Sequence, residues 1–345
     1  MTMLYKNSAL LVRTDGVLGK HDLTLMTFRT AFTLVSPAGP RAGLSILIFH
    51  RVLPEPDPLF PGEIDAARFD LLLGWLQEWF RVLPLAEAME RLRQGELPTR
   101  AAAITFDDGY ADNHAVALPI LQRHGLSATF FIAVGFLDGG RMFNDTVIET
   151  VRRCGQPVLD LTPLDLGRHD VSSLAAKRQV IPALLDRIKY LPFTQRLETI
   201  GALAEIAQVT LPDDLMMTRQ QVTALHGAGM GIGAHTVHHP ILARLENREA
   251  EREIADSRDD LQALLGEPVT LFAYPNGKPE TDYRREHVEM VRQLGFRAAV
   301  STAWGVAHRD SDRFQLPRFT PWERPRWRFG LSLLRNYGRG LAVLG

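Results

Sequence analysis

Two short segments bring together the residue types that hydrolytic chemistry needs. In TFDDGY (105–110), Asp107 and Asp108 follow the apolar run AAAITF (101–106), so two carboxylates leave the C-terminal end of a buried strand. Neighbouring side chains of an extended chain point in different directions. One carboxylate can therefore ligate a cation while the other faces a water, and Gly109 permits the sharp exit. Taken alone, the DDG triplet reads equally as a turn or a helix cap. The second segment, HTVHHP (235–240), follows GIGA and opens onto the same end of the sheet. His235 and His239 are four apart, a spacing that on one helical turn lets both rings reach a single ion, with His238 pointing elsewhere. Two imidazoles and one carboxylate leave positions open for water and substrate, as a catalytic centre requires and a closed structural site does not. That donor set suits zinc, with cobalt or nickel as alternatives.

The elements that must position these residues alternate in the manner of strands joined by crossover helices, in a parallel sheet or barrel. LSILIF (44–49), AAAITF (101–106) and SATFFIAV (127–134) read as strands, as do the short runs at 230–234, 269–273 and 297–301. Residues 65–80 place Phe69, Leu72, Leu73, Leu76 and Phe80 on one helical face with Asp65 as N-cap, and Trp75 and Trp79 join that core. Helices are expected at 111–124, 219–229, 246–265 and 281–294, and an extended segment at 314–319. The Glu and Arg residues of 246–265 read as a solvated face. Residues 141–217 break the rhythm and read as a helical insertion with polar joints at 157–170 and 211–214. The resulting organisation is an N-terminal extension over 1–43, a catalytic domain over 44–320 and a tail over 321–345.

The order TFDDG, HTxxHP and then FAYPNG (272–277), each at a strand end, resembles the polysaccharide deacetylase family, carbohydrate esterase family 4. The resemblance spans residues 44–320 and implies a distorted (β/α) barrel carrying the helical insertion. It also implies hydrolysis of N-acetyl groups from an N-acetylated glycan or glycolipid, releasing acetate. Carried over residue by residue, Asp107 is the general base, and Asp108, His235 and His239 hold the metal. The backbone N–H of Asn276 is the oxyanion donor. The chain departs from the family in three places. Ala273 stands where an arginine orients the base, and Arg318 in LPRF can supply that guanidinium instead. Asn276 replaces an aromatic residue, and Ala303 replaces the aspartate before Trp304, a candidate sugar platform. The family's C-terminal LxH histidine is absent, since His308 sits in a turn-like setting. His50, however, ends LSILIF as IFHRV, and this is similar to the circularly permuted branch that includes poly-N-acetylglucosamine deacetylases. There the final strand comes first, so the resemblance assigns His50 the general acid. Tyr110 and Asn113 match DDGYxDN and are expected to set the loop.

Composition bounds the partners. The chain has 345 residues, 46% hydrophobic and 23% charged, which suits a globular protein with a large core. With 39 basic and 40 acidic side chains the net charge is -1, so no global field favours nucleic acid or an anionic membrane. The tail PWERPRWRFGLSLLRNYGRGLAVLG (321–345) is the local exception, a basic aromatic stretch suited to peripheral membrane contact or to packing on the barrel. The single cysteine, Cys154, excludes a disulfide framework and reads as a small buried residue. No window supplies a spanning helix and no cleavable signal is evident, because 24–36 contains Arg29 and follows Lys20, His21 and Asp22. A cytoplasmic location follows, at the inner membrane surface if the tail makes contact. Two other functions fit the same residues: a metal amidase acting on a non-carbohydrate amide, and a catalytically weak sugar-binding or assembly protein.

Overall fold

The computed structural model describes residues 20–339. Nine strands occur among them: β1 Leu44–Phe49, β2 Arg81–Val82, β3 Ala101–Phe106, β4 Thr129–Ile132, β5 Val158–Leu161, β6 Gly167–Asp170, β7 Gly231–Ala234, β8 Leu271–Ala273 and β9 Ala298–Val300. Seven form one parallel sheet in the order β1-β3-β4-β7-β8-β9, with β2 beside the start of β3. Such a sheet is covered on both faces, which is why β1, β3, β4 and β9 are buried at every position instead of alternating. The extended segment expected at 314–319 joins the two edges. Leu316 bridges to Val300 of β9, and Phe319 bridges in parallel to Leu47 of β1, with Phe319 N–H donating to Ile46 O at 2.7 Å. The sheet curls into the expected distorted barrel, and β1 lies between β3 and the segment that carries Arg318.

The helices follow their sequence signals closely. The helix Ala66–Trp79 starts at Asp65, whose carboxylate accepts from Arg68 N–H at 2.8 Å, and it buries Phe69, Leu72, Leu73, Leu76 and Trp79. Both terminal helices join the same core. Phe28 and Phe32 of Lys20–Val35 pack on Trp79 and Phe80, and Phe329 of Arg326–Tyr337 packs on Trp75, Trp79 and Phe319. Phe329→Ala would cost about 3–5 kcal/mol through lost burial and the cavity left behind.

The insertion differs from the sequence reading in one element. Residues expected to be polar joints form the antiparallel hairpin β5–β6, in which Leu159 and Leu161 point inward while Asp160 faces water. The turn is made possible by Asp165 and Gly167, both at positive φ. Around the hairpin, helices Phe143–Arg153, Leu174–Lys189 and Phe193–Ile206 enclose a separate small core that includes Val147, Ile181, Leu184 and Cys154. Cys154 is buried, as its type suggested.

Candidate metal centre and active site

The strand ends converge at one edge of the barrel, and their loops are forced into backbone conformations that L-residues seldom adopt. Asp108 after β3, Thr236 and His239 after β7, and Asn276 after β8 all have positive φ, between 51° and 79°. Each costs on the order of 1–3 kcal/mol unless the surroundings impose it. The surroundings here are visible. Thr236 Oγ1 accepts the His239 N–H at 3.1 Å, and Glu253 on the helix Asn247–Leu265 accepts the N–H groups of Val237 and His238 at 2.9 and 2.8 Å. The segment 235–240 is thus a tight loop and not the helical turn that the four-residue spacing suggested. It still brings the rings of His235 and His239 to 4.8 Å between centroids. His238 turns away and meets Glu253 at 2.7 Å.

One ligand atom from each of Asp108, His235 and His239 lies within 4.8 Å of the others. His235 Nδ1 is 2.7 Å from Ala273 O, which can only accept, so Nδ1 carries the hydrogen and Nε2 presents a lone pair. That Nε2 and the Nε2 of His239 each stand 3.4 Å from Asp108 Oδ1, a buried oxygen with no hydrogen-bond partner. Three lone-pair donors facing one another in a largely buried site require a cation or a proton between them. The residues therefore fit a divalent metal. Burial pushes His239 down to about 3 and keeps it a neutral ligand. Burial opposes ionisation of Asp108, yet the histidines around it hold its carboxyl well below the usual range. Burial also disfavours a charged His235, but the charges of Asp107 and Asp108 outweigh this and raise it, so in the absence of metal a proton can take the cation's place.

Asp107 does not face this cluster in the same way. Its two oxygens accept from Nη1 and Nη2 of Arg318, both at 2.7 Å, and Arg318 is itself fully buried. The guanidinium is fixed by its Nε donating to Ser301 O at 2.8 Å and by Nη1 donating to Thr105 Oγ1 at 3.2 Å. Burial would raise Asp107, and the adjacent Arg318 charge overcomes it and lowers the carboxyl. Arg318 thus supplies the Asp107 carboxylate with a guanidinium that Ala273 cannot. Ala273 contributes instead the carbonyl that sets the His235 ring.

His50 stands beside Asp107 on the neighbouring strand. Phe49 pairs with Phe106, and Asp107 N–H donates to Phe49 O at 3.0 Å, so His50 and Asp107 leave their strands at equivalent points. The His50 charge acts on both Asp107 and Asp108. Asn113 Nδ2 donates to the His50 carbonyl at 2.8 Å and so tethers the DDG loop to the end of β1. Asn113 and Tyr110 set the loop, as their position suggested. Asn276 directs its own carbonyl to Thr302 Oγ1 at 2.6 Å. Trp304 packs on Phe319, and the Arg339 guanidinium covers its ring at 4.3 Å, so that face is not open to a sugar.

Several supporting residues had no motif to reveal them. Glu253 lies on the charge-laced helix read as a solvated face, although Ala250, Ile254 and Ser257 mark its inward side and a helical wheel places Glu253 next to them. Arg51 pairs with the buried Asp112 at 2.7 Å and covers the Tyr110 ring, whose hydroxyl donates to Asp145 at 3.3 Å. Burial pushes Asp145 up to about 7.

Comparison with known proteins bears on the family and the fold. The polysaccharide deacetylase family model matches residues 94–156 and 197–299. Its interruption falls on the hairpin β5–β6 and the helix Leu174–Lys189, and His50 and Arg318 lie outside the matched segments. YxkH of Bacillus subtilis (strain 168), which carries a provisional polysaccharide deacetylase name, is 22% identical over 279 residues, 80% of this chain and 71% of its own. Among solved structures, the Streptococcus pyogenes deacetylase PplD in complex with acetate superposes with a TM-score of 0.56 at 20% identity, over 86% of this chain and 98% of that one. IcaB from Ammonifex degensii gives 0.55 at 18% identity over 85% and 97%. Together these matches support the polysaccharide deacetylase family for this chain, and with it a carbohydrate deacetylase hydrolase.

Proposed function

We propose that the protein removes the acetyl group from an N-acetylated sugar with a divalent metal held by Asp108, His235 and His239, using Asp107 as general base and His50 as general acid. The observation that carries this reading is the orphaned Asp108 Oδ1 between two imidazole nitrogens at 3.4 Å, with the ionised Asp107 next to it. Zinc suits the donor set, with cobalt or nickel as alternatives. A bound divalent cation would lower the pKa of a water and stabilise negative charge on the acetyl oxygen.

The chain's own residues account for the rest. Asp107, kept ionised and oriented by the Arg318 fork, takes the proton of the attacking water. The N–H of Asn276 adds a donor toward the oxygen on which charge develops. His50, in its protonated form, gives a proton to the departing amine, which would otherwise leave as an unstable anion. The position of β1 between β3 and the 314–319 segment supports the permuted reading, because it places a first strand where a last one would lie.

Two measurements test this together: metal content of the purified protein, and acetate release from N-acetylglucosamine oligomers. Asp107→Asn and His50→Ala should each lose about 100-fold or more in rate while keeping the metal. Near-full activity of the Asp107 variant would sink the scheme. Bound metal with no acetate from any sugar would favour an amidase of non-carbohydrate amides, and neither metal nor acetate would favour a sugar-binding or assembly role.

A further inference from the structure

We propose that the face formed by the helices Ala66–Trp79 and Arg326–Tyr337, with the segment 322–325 between them and the barrel, docks onto an anionic lipid bilayer. The helix Arg326–Tyr337 has two unlike sides. Phe329, Leu333 and Asn336 are buried against the core, whereas Trp327 and Leu331, one turn apart, face outward with Arg328 and Arg335 beside them. Trp322 and Trp327 are 51% and 52% exposed, and Leu71 on the adjoining helix is 54% exposed. The two helices meet through Trp75 and Trp79 against Phe329, and Arg68 donates to Glu323 O, so the two helices and the segment 322–325 adjoin one another.

The charge on this surface is predominantly positive, although the helix Ala66–Trp79 contributes Asp70 and Glu78 besides Arg68. Residues 322–339 carry Arg324, Arg326, Arg328, Arg335 and Arg339 against the single acid Glu323, in a chain whose net charge is -1. Arg326 is paired with Glu78, and burial lowers the pKa of Arg68, with the nearby Arg324 charge adding to the effect. Exposed tryptophans ringed by arginines match the headgroup region of a bilayer, where the indole is half in hydrocarbon and the guanidinium meets phosphate. A second copy meeting the same patch across a two-fold axis would set arginine against arginine. The chemistry therefore selects lipid phosphate as the occupant. Among the described residues no helix is long or apolar enough to cross a membrane, so contact here is in the plane of the surface.

The patch adjoins the mouth of the candidate site. Arg324 donates to Pro61 O, and the same loop pairs with the segment that follows His50, Leu53 N–H donating to Ile64 O at 2.8 Å. Docking would thus present the site to glycans held at the bilayer, a consequence that rests on the deacetylase reading, whereas the docking itself does not.

The test is co-flotation of the full chain with phosphatidylcholine vesicles and with vesicles containing roughly a third phosphatidylglycerol. Binding is expected on the anionic vesicles and should weaken as salt is raised. Arg328→Gln with Arg335→Gln should lower partitioning about 25-fold, taking about fivefold for each arginine near the surface. Trp322→Ala with Trp327→Ala should lower it on the same vesicles without changing the salt dependence. Failure of the wild-type chain to bind anionic vesicles, or equal binding by both double variants with unchanged thermal midpoints, would overturn the proposal. So would a lipid-free dimer that the same substitutions abolish.

Discussion

Arg318 grips both oxygens of Asp107 at 2.7 Å in a fully buried fork, although the two residues are 211 positions apart. Removing one partner of such a pair leaves an uncompensated charge in the interior. Arg318→Met should destabilise the protein by about 3–5 kcal/mol in urea unfolding. The sign of the pH effect follows from the lowered Asp107 carboxyl. Its stabilisation is fully present above the unfolded value of 3.8 and is lost as pH falls through the lower folded value. Without Arg318 that loss should begin at higher pH, and the acid limb of the rate profile should move up with it. Arg318→Lys, which keeps the charge and loses the fork, should fall between the two.

Metal uptake should depend on pH through His235. The neighbouring carboxylates raise its pKa, so a cation must displace a proton there. Affinity measured by titration calorimetry should drop about tenfold per pH unit below that pKa and level off above it. His239, already down at about 3, should contribute no such slope. His235→Ala should lose the metal, and a variant that retained full metal content would remove His235 from the centre.

Glu253 touches no candidate ligand, yet it holds the N–H groups of Val237 and His238. Glu253→Ala should free the loop that sets His239, lowering metal affinity about 10–100-fold with the fold retained. Amide hydrogen exchange should rise at 236–239 and not in β7. Unchanged exchange together with unchanged affinity would contradict this account.

Asp145 offers a stability prediction of opposite sign. Its carboxyl is pushed up by burial to about 7 from the ordinary 3.8. The folded state then holds a proton that the unfolded state gives up, so stability falls as pH rises from the lower value to the higher and is constant beyond. Asp145→Asn should raise stability by about 2–4 kcal/mol at pH 8 and by little below pH 4, read from thermal midpoints at both.

Much of the site was legible because catalytic residues sit at strand ends, and strand ends are marked by where apolar runs stop. Asp107, Asp108, His235 and His239 follow AAAITF and GIGA directly, and the observed strands stop within a residue of those limits. Arg318 was findable only as a compensation for Ala273, and its fork with Asp107 depends on how the 314–319 segment crosses from β9 to β1. The tight loop at 235–240 was misread as a helical turn because four-residue spacing is shared by both, and only Thr236 and Glu253 decide between them. The hairpin β5–β6 was hidden by its brevity. Four residues with two inward leucines do not stand out from a loop in a single sequence.

The closure of the barrel has a bearing on how the protein comes to be active. β1 brings His50, β3 brings Asp107, and the segment that seals the gap between β9 and β1 brings Arg318. During synthesis Asp107 therefore has no counter-charge until residue 318 has left the ribosome. Such long-range closure is slow to nucleate. Catalytic competence then becomes a late event in biogenesis, and a release assay on stalled nascent chains would show activity appearing only once residue 318 has emerged.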